Sequence, residues 1–537
     1  MRRSDALSRR EALLATAGST IAAASMSLPA SVAGKGASVT GSKTFERGTH
    51  VLNADTQLFN VVVEDGARIV LGSGVTLTVT GDFDAAANMV FSGPGRVDLT
   101  KSRLLAARPE WWGAVPDDEA VDCVPALEAC LEAHVAMQLS PGSYYISRTW
   151  TIAISDRRIW GVGRSKDSRS TRIVLSGGNG TVMCVGTETP PGSINDFVRG
   201  LAVGCIELTR NLAPALGGST AIGLRVVHAY DCLFETVRGN EQGIGFSLFA
   251  VVKSYFRDCH AFRSTAGSAF IGYDLTGEAA GMAGANASIF LIDCTARVGG
   301  TPKIASSVGV RLLGTFADTF IVRFETVTLD DGIVIDGSPA TTSASRRRFG
   351  HIDLTIDTPI LDQCLKRGIT IRGISSGGAI DIRSPYVALG STGTVAMQLV
   401  DCAGLIDTIG GQLIGGVASD GGTDPMGIAL TNVTGATFTR TKIIGFDRAI
   451  NADQAKSFEL VVSIGTERDT EVAAIRLVGC ADGYLRPLLS GASRKTGVFL
   501  DATSKAITID TTGLRDAAVS ISGKKMAAVG GRITVAR

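Results

Sequence analysis

Apolar and polar residues alternate over most of the chain in short runs broken by glycine and by Asn or Asp, the pattern of brief β-strands separated by tight turns. Between residues 221 and 337 the segments AIGLRVV, GIGFSLF, GSAFIGY, SVGVRLL and DGIVIDG repeat one another. Gly223 to Gly245 spans 22 residues, Gly245 to Ala269 spans 24, and Gly309 to Gly332 spans 23. A second column runs through CLFETV, SYFRDC, FLIDC and VRFETV, with Phe234, Phe256, Leu291 and Phe324 as equivalents. A third aligns Leu399, Leu430, Leu477 and Leu500; its 47-residue interval reads as two turns of the repeat and its 23-residue interval as one. Self-similarity at this period predicts an all-β, right-handed parallel β-helix, its inward apolar residues stacked on those of the next coil about 4.8 Å away. An antiparallel sandwich has no need of such a period.

Residues 119–135 interrupt the alternation. Val124, Leu127, Leu131 and Val135 mark one face of an amphipathic helix, with Asp122 and Pro125 suited to its start. A helix here closes the open end of a β-helix, whose strand edges otherwise invite aggregation. The division expected is a signal at 1–33, short N-terminal β coils at 34–108, and the main β-helix at 109–537 with its capping helix at about 119–135. Gly161 and Gly163 form a turn, not a dinucleotide site: no third glycine stands at position 166.

Composition narrows the function. Arg9-Arg10, an apolar run and Ser31-Val32-Ala33 resemble a twin-arginine export signal, so a secreted or periplasmic protein is expected. No later apolar run approaches a membrane span. Past residue 33, 48 basic residues face 49 acidic ones, which gives no electrostatic case for nucleic acid. Ten cysteines, from Cys123 to Cys480, include no CxxC pair and are expected as buried free thiols. Cys259 and Cys294 share a column with Val237 and Val327.

The order PEWWGAVPDD, short helix, LSPGSYYISRTW strand and Gly161-x-Gly163 turn resembles the opening region of the pectate-lyase (pectin-lyase-like) superfamily. The likeness is to the branch shared by phage tailspikes and rhamnogalacturonase- and epimerase-like proteins. In this setting Trp111 and Trp112 cover apolar surface at the mouth of the coil. The resemblance implies a polysaccharide or oligosaccharide partner, held in a groove along the side of the helix. Two functions follow from it: an exported glycoside hydrolase or polysaccharide lyase, or a non-catalytic glycan-binding or tailspike-like structural protein. It leaves the oligomeric state open, a trimer included.

Lyase segments of tryptophan-x-aspartate-histidine and arginine-x-proline-x-x-arginine are missing, so no calcium, metal or cofactor is expected. A looser likeness to polygalacturonases lies in LDDGIVIDG and RRFGHIDLTI. Asp330 and Asp331 precede His351 by 21 and 20 residues, and Arg372 follows 21 further on. The likeness implies that one aspartate is general acid, the other activates water, and His351 and Arg372 position the sugar. The sequence departs from that family in lacking a glycine after His351 and an asparagine-x-aspartate segment one coil upstream. An alternative pair is Asp258 with Asp293, equivalent in successive coils, with Glu235 and Glu325 in the adjacent column. Insertions at 274–287, 297–306 and 338–349 are candidates to wall a groove, whereas His50, His134, His228 and His260 lack ligand spacing.

Overall fold

The computed structural model describes residues 41–163, 170–189, 191–211, 221–265, 269–276, 286–299, 304, 306–337, 353–415, 425–446, 448–466, 473–491, 496–514, 518–521, 524–526 and 531–535. The twin-arginine segment lies outside them. No helix among them is long and apolar enough to cross a membrane.

Residues 43–98 wind through three coils. Lys43–Phe45, Val61–Val63 and Phe83–Ala85 form one three-stranded parallel sheet, and two further sheets of three strands complete the walls. Each strand pairs with the strand one coil ahead, not with its sequence neighbour, which is what defines a parallel β-helix.

The tryptophan pair joins these coils to the main body. Pro109–Trp112 is a 3-10 turn that ends at Gly113, whose φ of 94° a side chain rarely adopts. The Trp111 ring meets Phe83 edge-on at 4.9 Å, and its Nε1 donates to the Ala86 carbonyl at 2.9 Å. Trp112 lies 5.1 Å from Phe91. From the other side, the Tyr144 hydroxyl donates to buried Glu110 at 2.7 Å. Both rings therefore serve packing.

The helix spans Val124–Ala133, shorter than the sequence pattern suggests. Asp118 and Asp122 are the reason at its start: their carboxylates accept from the Ala120 and Val124 amides and fold the chain into turns. At the other end His134 is already extended, so Val135 leaves the apolar face and is exposed.

From Ala136 the chain forms one continuous sheet whose cross-coil pairings are parallel up to Leu500. At the C-terminal end Lys505–Asp510 pairs antiparallel with Arg532–Val535, and Ala518–Ile521 with Lys524–Met526, turning the chain back on itself. One inward column runs without interruption from Ile152 through Leu312, Leu399 and Leu430 to Leu500. Ala452 fills the extra turn inside the 47-residue interval.

The recurring glycines prove to be core residues. Gly223, Gly245, Gly272, Gly309, Gly332 and Gly368 are in register, and Gly272 holds the place expected of Ala269. A Cβ on Gly272 would come within 2.4 Å of Ala296 Cβ, and one on Gly368 within 2.2 Å of Val387 Cγ1. The interior narrows here, and only the smallest residues let two walls approach.

The second expected column also shifts. Leu291 pairs with Ile321, while Phe324 stands in register with Cys294, so the thiol column is Val237, Cys259, Cys294 and Phe324, with Val327 elsewhere. The cause is a corner. Cys205, Thr236, Asp258, Asp293, Arg323, Thr358 and Ser384 take φ between 46° and 56° at equivalent positions, and Phe324 follows that corner where Leu291 precedes it. All ten cysteines are free thiols and nine are buried. Burial pushes Cys364 up to about 12, well away from thiolate reactivity.

Candidate functional site

The first expected constellation is pulled apart by register. Asp331 stands opposite Arg367 on the next coil, and the two form a bidentate pair at 2.6 and 3.0 Å. Arg372 stands opposite Asp336 and binds it at 2.6 Å. Asp331 and Asp336 lie five residue steps apart along one strand, about 16 Å. Asp330 is buried, accepts from the Ser307 amide at 3.1 Å and meets Lys366 Nζ at 3.3 Å. Arg372 is thus not brought to the aspartate pair. His351 lies outside the described residues, as do 277–285, 300–303 and 338–352, which cover most of the expected groove-walling insertions.

Asp258 and Asp293 do occupy equivalent corners, but they do not face each other as a carboxylate pair. Arg323, the corner residue of the following coil, grips Asp293 through both oxygens at 2.5 and 2.6 Å. That guanidinium holds the Asp293 carboxyl below the usual carboxylate range. Asp258 instead meets His260 Nε2 at 3.1 Å and accepts from the Thr236 hydroxyl at 3.1 Å. Glu235 is in register with Arg257 and Glu325 with Thr295, so neither extends an acidic column. A carboxylate locked to a guanidinium is a poor proton donor, which removes Asp293 as a ready general acid.

A different place has the unsatisfied chemistry. Where the first three coils of the main body stack, a cavity of about 320 Å3 opens on the outer face. Strands Gly142–Ile146, Thr171–Leu175 and Ala202–Arg210 line it in register, Ser143 opposite Arg172 and Arg172 opposite Glu207. Alternation turns Tyr144, Ile173 and Leu208 into the core, which leaves Tyr145, Arg172 and Glu207 on the cavity side.

Glu207 is 7% exposed and accepts from Asn240 Nδ2 at 2.9 Å, with no ion pair among the described residues. Asn240, also 7% exposed, keeps its Oδ1 without a partner among the described residues. The Arg172 Nε is likewise buried and unpartnered among the described residues, although Glu207 is its neighbour on the next coil. Glu119 reaches the rim and accepts from Asn211 Nδ2 at 2.9 Å. At the cavity's edge Arg210 is 7% exposed and donates to Gln242 Oε1, Gly180 O and Ile222 O, while its Nη1 finds no acceptor among the described residues. Burial, with Arg263 nearby adding to it, pulls Arg210 down to about 10.

Little in the sequence marks this site. Arg172, Glu207 and Asn240 read as ordinary outward positions of strands, and intervals of 35 and 33 residues hide their adjacency. The polar run Asn240-Glu241-Gln242 at a strand end was the one available signal. Among the described residues no three His, Cys, Asp or Glu side chains gather as metal ligands.

The architecture defines the chain as a parallel β-helix, and similarity to solved structures falls among phage tailspikes. The tailspike of Escherichia coli bacteriophage HK620, solved in complex with a pentasaccharide, superposes with a TM-score of 0.59 at 11% identity over 76% of each chain. A double mutant of the same tailspike gives 0.59 at 11% identity over 78% of each chain. Tailspike protein 3 of bacteriophage CBA120 gives 0.47 at 14% identity, over 78% of this chain and 62% of that one. No family model and no curated protein matches the chain. At these identities the likeness is one of fold.

Proposed function

We propose that this protein binds polysaccharide and seats a sugar unit in the cavity between Arg172, Glu207 and Asn240. The observation that carries the reading is the set of buried polar atoms without partners there, the Asn240 Oδ1 and the Arg172 Nε, beside the buried Glu207 carboxylate. Such atoms cost stability unless something fills them. A sugar ring supplies what they lack: hydroxyls that donate to Asn240 and Glu207 and oxygens that accept from Arg172, with Tyr145 beside them as an amphipathic surface. The pentasaccharide held by the HK620 tailspike supports a glycan as the ligand class of a like fold. Arg9-Arg10 and the segment that follows support export.

A second reading, glycoside hydrolysis, is favoured by one fact: Glu119 and Glu207 line the same cavity and neither is ion-paired among the described residues. Two carboxylates about a glycosidic oxygen are the usual requirement.

The test is to mix the full chain with a panel of neutral and acidic polysaccharides while following binding, reducing ends and unsaturated-uronate absorbance. Saturable binding to a panel member that Asn240→Ala weakens is the expected result. Binding to none of them contradicts the proposal. Reducing ends that disappear in Glu207→Gln, with binding retained, establish the hydrolase.

A further inference from the structure

Along the later coils a buried carboxylate and a guanidinium meet one coil apart, as Asp274 with Arg311 and Asp336 with Arg372 do. Arg210 breaks that habit. It is as buried as those aspartates, yet its acceptors are one side-chain amide and two backbone carbonyls, all neutral. The charged group that acts on it is another cation, Arg263, itself 1% exposed. Arg172, the second guanidinium at the cavity, forms no ion pair among the described residues either, although Glu207 stands opposite it on the next coil. A buried cation without a counter-charge is costly, and the low dielectric around it strengthens its attraction for any anion that reaches it.

We propose that the cavity contains an anion subsite in which Arg210 and Arg172 receive one carboxylate-sized monoanion. This deepens the glycan reading and rests on the same cavity. Glu119 and Glu207 line it too, so a dianionic phosphate meets twice the repulsion of a monoanion. The shared chemistry has two sources, a free small anion or the carboxylate of an acidic sugar.

The experiment uses acetate and its neutral isostere acetamide, titrated into the full chain at constant ionic strength and read by calorimetry and thermal shift. Acetate binds saturably and raises Tm, acetamide does neither, and Arg210→Gln or Arg172→Gln weakens acetate by about tenfold or more. Because Arg210 is buried, Arg210→Lys and the change Arg172→Gln at a half-buried position keep the test valid should Arg210→Gln fail to fold. Equal binding of acetate and acetamide, or acetate binding unchanged in Arg172→Gln and Arg210→Lys, overturns the proposal. Inorganic phosphate that outcompetes acetate overturns the monoanion assignment. Competition by a uronate-containing disaccharide, with none by its carboxyl-reduced form, assigns the site to a sugar carboxylate; no competition by either assigns it to a free anion. Acetate binding without any glycan binding leaves this subsite standing and removes the glycan proposal. Glycan binding without acetate binding does the reverse.

Discussion

Two patches of the same β-helix treat charge differently, the cavity at Arg172 and Glu207 and the run of coils from Asp274 onward. From Asp274 to Arg383 carboxylates find guanidinium partners: Asp274 with Arg311, Asp293 with Arg323, Asp331 with Arg367 and Asp336 with Arg372 across coils, and Asp381 with Arg383 along one strand. At the cavity the same stacking geometry puts Arg172 against Glu207, yet these two do not pair, and polar atoms of Arg172, Arg210 and Asn240 stay unfilled among the described residues, although Arg225 and Glu188 nearby do form an ion pair. Stacking alone therefore does not decide which side chains pair. The ion pairs between successive coils tie those coils together. The patch at the cavity is where we propose that a ligand binds.

The contrast can be broken from the scaffold downward. Gly368→Val drives a side chain into Val387 and the Ala396 carbonyl inside the narrow part of the coil. A loss of about 3 kcal/mol or more is expected, seen as a large fall in Tm or loss of soluble protein, with both faces affected.

Asp331→Ala comes next. It strips the bidentate partner from Arg367, which still reaches solvent, so a cost of about 2 kcal/mol is expected by denaturant titration. Glycan binding should not change.

Asn240→Ala sharpens the comparison from the other side. Glu207 loses the amide that orients it, and polysaccharide affinity should fall about tenfold while stability changes by about 1 kcal/mol or less. Last, Asp231→Ala removes an exposed contact with Lys253 and should shift stability by about 0.5 kcal/mol or less, with no effect on binding.

How far the chain could be read without coordinates follows from what repeats. The Leu399–Leu430–Leu477–Leu500 column was legible because inward positions tolerate only apolar residues, and even the silent coil at Ala452 announced itself by a doubled interval. Letter similarity misled where corners intervene: FETV at Phe324 looks like FETV at Phe234, yet the left-handed corner at Arg323 moves it three residues along. The same uncertainty of register joined Arg372 to Asp331 on paper, whereas the fold gives it to Asp336. The cavity was nearly invisible, because an outward polar residue on a strand is ordinary and only register shows Arg172, Glu207 and Asn240 to be neighbours.

The central claim is that polysaccharide binds at the unsaturated face and not at the ion-paired one. Affinity for the bound polysaccharide, measured in parallel for the unaltered chain, Asn240→Ala and Asp331→Asn, tests it most directly. The account predicts a fall of about tenfold for Asn240→Ala and none for Asp331→Asn in the folded protein. Loss in Asp331→Asn with full affinity in Asn240→Ala would contradict it.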